Sequence, residues 1–212
     1  MRTWIRWLLL ATAYVVSFSW YTSFGGPLSQ DEIEHYVAQL EAQGRPASAV
    51  ATWRRFMQSD SGDDFAMANF IEWRDQPLPV SAIPPDESTA AVFERYSGPF
   101  ARAALPRASH PVAIGSAAAA AMDFWGASDV ARTWSQAALV RDRSRRDLIE
   151  IVLDPARAGS HDYKVAAIQK TIAFPIDPWF QLGDPRVVLA LLLVAVGLIL
   201  DRVVDGGAAN PS

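Results

Sequence analysis

Phe65-Ala-Met-Ala-Asn-Phe-Ile-Glu-Trp73 sets Phe65, Met67, Asn69, Ile71 and Trp73 against smaller or polar neighbours. A period of two over nine residues puts alternate side chains on opposite faces, so the stretch predicts a β-strand with one face more buried than the other. Upstream, Ser29-Gln-Asp-Glu32 has the form of a capping box, in which a Ser hydroxyl and a Glu carboxylate three residues on satisfy the first free N–H groups of a helix. Ile33, Tyr36, Val37 and Leu40 follow at helical spacing and Gly44 closes the segment. Pro46 opens a second predicted helix that carries Val50, Trp53 and Met57 on one side, and a polar turn, Ser59-Asp-Ser-Gly-Asp-Asp64, leads into the strand.

Downstream of the strand, residues 76–85 read as a Pro-rich loop. Asp86 and Glu87 suit a helix start, Phe93, Tyr96 and Phe100 form its stripe, and Gly98-Pro99 predicts a kink or division. His110 to Ser116 is the second strand and Thr133 to Arg141 the third; the alanine run 117–121 fits helix by propensity but is short. Ser144-Arg-Arg-Asp147 opens a helix that Asp154-Pro155 stops, and another helix over His161 to Lys170 precedes a last strand, Thr171 to Ile176. Pro175 confines that strand to an edge or a strand end. The fold class is therefore α+β, with a βαββαβ order of the split, ferredoxin-like kind behind N-terminal helices.

Two apolar segments bracket this domain. No charge occurs from Trp7 to Gln30, and none from Val187 to Leu200. Trp7 to Phe24 is long enough to cross a hydrocarbon core of about 30 Å, and Trp4, Trp7, Trp20 and Tyr21 sit near its ends, where amphipathic rings favour the interface. Arg2 and Arg6 precede it without an acid, which predicts a cytoplasmic N-terminus and a translocated domain. A cleaved signal peptide also fits the charged start and apolar run. The second segment is short for a bilayer but reaches Val204 if Asp201 and Arg202 extend to the far interface, with Trp179 and Phe180 near the other. A buried, interfacial or oligomerisation helix is the other reading. The resulting organisation is a cytoplasmic tail over 1–6, an anchor over 7–24, a helical lead-in over 25–64 and the domain over 65–178. A second transmembrane helix over 186–204 and a disordered tail over 205–212 complete it. The expected setting is integral in a membrane, a bacterial inner membrane, with the domain on the non-cytoplasmic side.

Residues 25–185 hold fifteen Arg and Lys against twenty-one Asp and Glu, and the chain has a net charge of −4. Nucleic acid is thus not an expected partner, since counterion-driven binding needs a basic footprint. Cysteine is absent, which excludes disulfides, thiolate metal sites and a cysteine nucleophile. Three widely spaced histidines give no metal signature, and neither metal nor cofactor is expected. No nucleophile elbow or phosphate-binding glycine loop is present.

Phe65 to Asp75, Arg95-Tyr-Ser-Gly-Pro99, Leu139-Val-Arg-Asp-Arg-Ser-Arg-Arg-Asp147 and His161 to Thr171 together resemble the uncharacterised dimeric α/β-barrel family. The resemblance covers Phe65 to Ile176. It implies a homodimer in which two ferredoxin-like sheets pair into a barrel whose cavity holds a small apolar molecule, and it implies no particular reaction. Related barrels include haem-degrading and quinol-forming oxygenases, some with an Asn, a Trp and a His lining the barrel. On that analogy Asn69 and His110 are the catalytic candidates, with Trp73, Trp134 and Tyr96 as candidate ligand contacts and Trp125 a further indole. Asn69 and Tyr96 also suit core positions with their polar groups tethered. Arg141, Arg145 and Arg146 crowd a strand-to-helix turn and form a candidate anion site, or else a solvated turn neutralised by Asp142, Asp147 and Glu150. The function read from all this is a membrane-anchored small-molecule-binding or interaction module of unassigned activity. The alternative is a cofactor-poor oxygenase or isomerase acting in the barrel cavity.

Overall fold

The computed structural model describes residues 3–80, 83–84, 86–126, 128–157, 159–179, 181 and 183–208, with 205–208 described in backbone alone. Arg2, Phe180, parts of the Pro-rich loop and the end of the tail, all invoked above, lie outside the described residues. The elements in chain order are helices α1 (Thr3–Tyr21), α2 (Gln30–Ala42) and α3 (Ala47–Gln58), strand β1 (Phe65–Trp73), helix α4 (Thr89–Ala104) and strands β2 (His110–Ser116) and β3 (Gln136–Asp142). Helices α5 (Arg145–Leu153) and α6 (Ser160–Ala167), strand β4 (Ile168–Ile176) and helix α7 (Pro185–Ala208) complete the chain. The chain separates into two units, residues 23–177 and residues 1–22 with 178–212.

The larger unit is a mixed α+β structure around one four-stranded antiparallel sheet of order β2-β3-β1-β4. β1 occupies the predicted residues and lies in the interior, paired with β3 through Asn69–Ala138 and with β4 through Asn69–Ala173. β4 is an edge strand, which accommodates Pro175, a residue with no N–H to give to a further neighbour. Both capping signals form: Ser29 caps α2 with the reciprocal Glu32 contact, and the Ser144 hydroxyl accepts the Asp147 N–H at the start of α5.

Several local expectations are corrected. α4 runs unbroken through Pro99. The residue before a proline is disfavoured in helix partly through its Cβ, and here that residue is Gly98. β3 begins at Gln136, and α6 ends at Ala167 so that Ile168, Gln169 and Lys170 join β4. Ile168 is buried beside Trp73, and that docking outweighs the helical appearance of Ile-Gln-Lys. The alanine run forms a bend, with no helix.

α2 and α3 bury Ile33, Val37, Leu40, Val50 and Met57 against Ile149 and Leu153 of α5, with Leu28 closing the cluster. Each such side chain contributes about 1.5–3 kcal/mol on full burial. A polar clasp fixes the approach to β1. Asp60 accepts the N–H groups of Leu28 (2.9 Å) and Gly62 (3.0 Å) and lies 3.6 Å from Arg145 Nε. Gly62 has φ +87°, and a Cβ there would stand 2.7 Å from the Gly26 carbonyl carbon, so conformation and space both demand glycine.

In the smaller unit α1 packs on α7 in antiparallel sense. Asp201 near the end of α7 accepts from Arg6 Nη2 (2.6 Å) and Trp7 Nε1 (2.9 Å) near the start of α1. At the opposite end of the pair, Arg186 sits over the Tyr21 ring at 5.7 Å. Gly197 gives room for the Trp7 indole, whose nearest atom a Cβ would meet at 2.6 Å. Among the described residues one helix is long and apolar enough to cross a membrane, over Pro185–Val204. The expected first span, Trp7 to Phe24, is helical only to Tyr21.

Candidate functional site

The odd-numbered residues of β1 that define its period of two face helices α4, α5 and α6, and a cavity of about 210 Å³ remains between the two layers. Met67, Asn69 and Ile71 line it from β1, and Gln136, Ala138, Val140 and Asp142 from β3, all on one side of the pleat. Opposite them stand Phe93, Tyr96 and Phe100, one helical turn apart on α4. Their ring centroids are separated by 5.7 Å and 6.3 Å, so the rings form a continuous aromatic wall. Lys164 of α6 holds its ammonium 5.4 Å from the Tyr96 ring centre, and Leu148 of α5 and Ile114 of β2 complete the apolar lining.

One acid lines this apolar space deep in the protein. Asp142 is 1% exposed. The Ser109 hydroxyl donates to its carboxylate, and the Arg143 N–H donates to Ser109 Oγ at 3.3 Å, yet Asp142 Oδ1 is buried without a hydrogen-bond partner. Burial raises this carboxyl to about 7, against the lowering effects of Ser109 and Arg141, while Asp147 raises it further. A buried acceptor left unsatisfied costs about 1–3 kcal/mol, so the position opposes its own charge at neutral pH.

Of the residues singled out from the sequence, Asn69 and Tyr96 line the cavity. Asn69 Nδ2 donates to the Met67 carbonyl at 2.9 Å. His110 does not join them. It pairs with Arg141 whereas Asn69 pairs with Ala138, three residues along β3, so the two side chains leave opposite faces of the sheet. The His110 Nδ1 lies 3.0 Å from the Pro111 carbonyl. Trp73 packs edge-on to Phe93 at 4.8 Å, behind the wall of the cavity. Trp134 lies on the other side of the sheet, 5.9 Å from Phe70, its Nε1 donating to the Ala131 carbonyl, and Trp125 is exposed.

The arginine turn is a structural clasp. Arg141 pairs with Asp64 at 2.8 Å and donates to the Ala108 carbonyl; Arg146 pairs with Glu32 at 2.9 Å. Arg145 stacks on Phe56 at 4.6 Å, donates to the Phe56 carbonyl and Ser59, and lies 3.4 Å from Asp177. Their carboxylate partners take the place an exogenous anion would need. Glu32 is lowered to about 2, first by Arg146 and then by the Ser29 N–H. Among the described residues no group of three His, Cys, Asp or Glu is placed to hold a metal ion.

Asp142 escaped the sequence reading because it sits in an Arg-Asp-Arg-Ser-Arg-Arg-Asp string that looks like a solvated turn. The usable signal was parity: Ala138, Val140 and Asp142 share a face of β3.

No protein-family model matches the chain, and no curated protein matches it. Two crystal structures share the fold, both of one protein of unknown function from Rhodopseudomonas palustris, unmodified and methylated. The unmodified form has a TM-score of 0.50 at 16% identity, covering 64% of this chain and 95% of its own. The methylated form has a TM-score of 0.50 at 14% identity, covering 66% and 95%.

Proposed function

We propose that this chain is a membrane-tethered protein that binds a small apolar molecule in the cavity between its sheet and helices. The observation that carries this reading is the aromatic wall of Phe93, Tyr96 and Phe100 over a 210 Å³ space floored by β1 and β3. Ligand sites are apolar concavities with few polar groups, and a dry apolar cavity of about 150 Å³ already admits benzene. The cavity lies within one chain, on the helix side of the sheet, rather than on the face where a barrel interior would form.

The ferredoxin-like reading of the domain is supported by its βαββαβ order with strands arranged β2-β3-β1-β4. Pairing of two sheets into a dimeric barrel is supported by the opposite face, where Phe70 stacks on Phe174 at 6.4 Å and Ile172 and Phe174 are exposed. Tethering rests on α7, whose Leu191, Leu192, Leu198 and Ile199 are exposed along an apolar span. The domain then lies on the non-cytoplasmic side if Arg6 marks a cytoplasmic end.

A second reading, an isomerase-type enzyme, is favoured by Asp142 alone, since a carboxyl held at about 7 is suited to give and take a proton at neutral pH. Native mass spectrometry of the full chain released from detergent tests the primary reading. A defined adduct that disappears in Ala138→Phe, which fills the cavity, is the expected result. Wild-type protein that binds no small apolar molecule under any loading would refute it.

A further inference from the structure

Resting on the cavity being a ligand site, we infer that its occupant is a flat molecule of one or two rings carrying an N–H or O–H donor, which Asp142 Oδ1 accepts. Size and wall chemistry supply the first half. The 210 Å³ volume exceeds the roughly 150 Å³ that holds benzene by about the space of a second, fused ring, and three rings of α4 offer flat contact.

The carboxylate supplies the second half. The other buried side-chain atoms without a partner among the described residues belong to Arg6, Thr22, Glu72, Arg74 and Arg157, none of which lines the cavity. Asp142 alone combines a cavity position with a vacant acceptor. The Ser109 hydroxyl already donates a hydrogen bond to this carboxylate, so what Asp142 lacks is a second donor. A ligand N–H or O–H would supply it and offset the cost of burying the charge.

The neighbouring charges are otherwise engaged. Arg141, beside Asp142 on β3, is held by Asp64; Asp147 of α5 is held by Arg143 at 2.8 Å; Lys164 of α6 rests over the Tyr96 ring of α4. None of them supplies Oδ1 with a hydrogen bond. Because a donor ligand prefers the ionised carboxylate, its affinity rises as pH passes upward through about 7.

Indole and benzofuran, two fused rings of nearly equal shape that differ in the N–H, test this by equilibrium dialysis with the full chain in detergent micelles. At pH 8 indole is expected to bind roughly tenfold more tightly than benzofuran, the gain of one hydrogen bond to a charged group. Asp142→Leu, similar in shape and without an acceptor, should bring the ratio to about one while benzofuran still binds. If that variant fails to fold, the wild-type protein still decides, because indole affinity must rise between pH 6 and pH 8 while benzofuran affinity does not. Equal affinities without pH dependence would overturn the donor inference and leave the cavity as a ligand site. Binding of neither compound, or binding undiminished in Ala138→Phe, would overturn both.

Discussion

Between about pH 4 and pH 7 the unfolded chain ionises Asp142 while the folded chain keeps its proton, since burial raises that carboxyl from 3.8 to about 7. The folded state therefore binds more protons in this window, and Asp142 lowers stability as pH rises, by up to about 1.4 kcal/mol per pH unit. Thermal unfolding of Asp142→Asn across pH 5 to 8 should show a flatter profile than wild type, with the variant gaining relative to wild type at the upper end. Glu32 has the opposite sign. Its pKa of about 2 lies below its ordinary 4.5, so its contribution is present above pH 4.5 and is lost as pH falls towards 2. Both residues lie in charged strings, and nothing local distinguishes a solvated acid from a buried one. Asp142 is buried by Ser109, α5 and the cavity wall, which the linear sequence does not place beside it. Gly62 has a similarly non-local requirement, a positive φ together with the backbone of Gly26 and Pro27. Gly62→Ala should destabilise by about 1–3 kcal/mol, read as a lowered Tm of the full chain.

Elements whose signals are local were legible, and those that depend on docking were not. β1 was readable to its last residue because period two needs no partner, and Ser29 and Ser144 were readable as caps because a cap is satisfied within one helical turn. Ser144→Ala should cost about 0.5–2 kcal/mol by chemical denaturation, towards the upper end since Ser144 Oγ also donates to Asp147 at 2.9 Å. The boundary between α6 and β4 was misplaced because a tertiary contact of Ile168 sets it. The site itself was half visible. Asn69 and Tyr96 follow from strand and helix periodicity, but the separation of His110 from Asn69 depends on strand register, which the sequence leaves open.

At the scale of the whole molecule the sheet has two apolar faces, one against the helices and one bearing Phe70, Leu139, Ile172 and Phe174. On the proposed sheet-to-sheet pairing, Phe174→Glu places a charge in that contact and should convert a dimer to a monomer in analytical ultracentrifugation. Binding to the cavity, which lies on the other side of the sheet, should persist. The clasp around α5 also bears on the order in which the chain acquires its structure. α2 and α3 come early, yet the surface they cover belongs to α5, with β1, α4, β2 and β3 in between. Arg145 spans further still, touching Ser59 on one side and Asp177 on the other. As the chain emerges from the ribosome, two amphipathic helices thus wait with their apolar stripes uncovered until three of the four strands have been synthesised. Their docking is a late step of biogenesis, and the interval before it is when this protein is most open to aggregation or to capture by a chaperone.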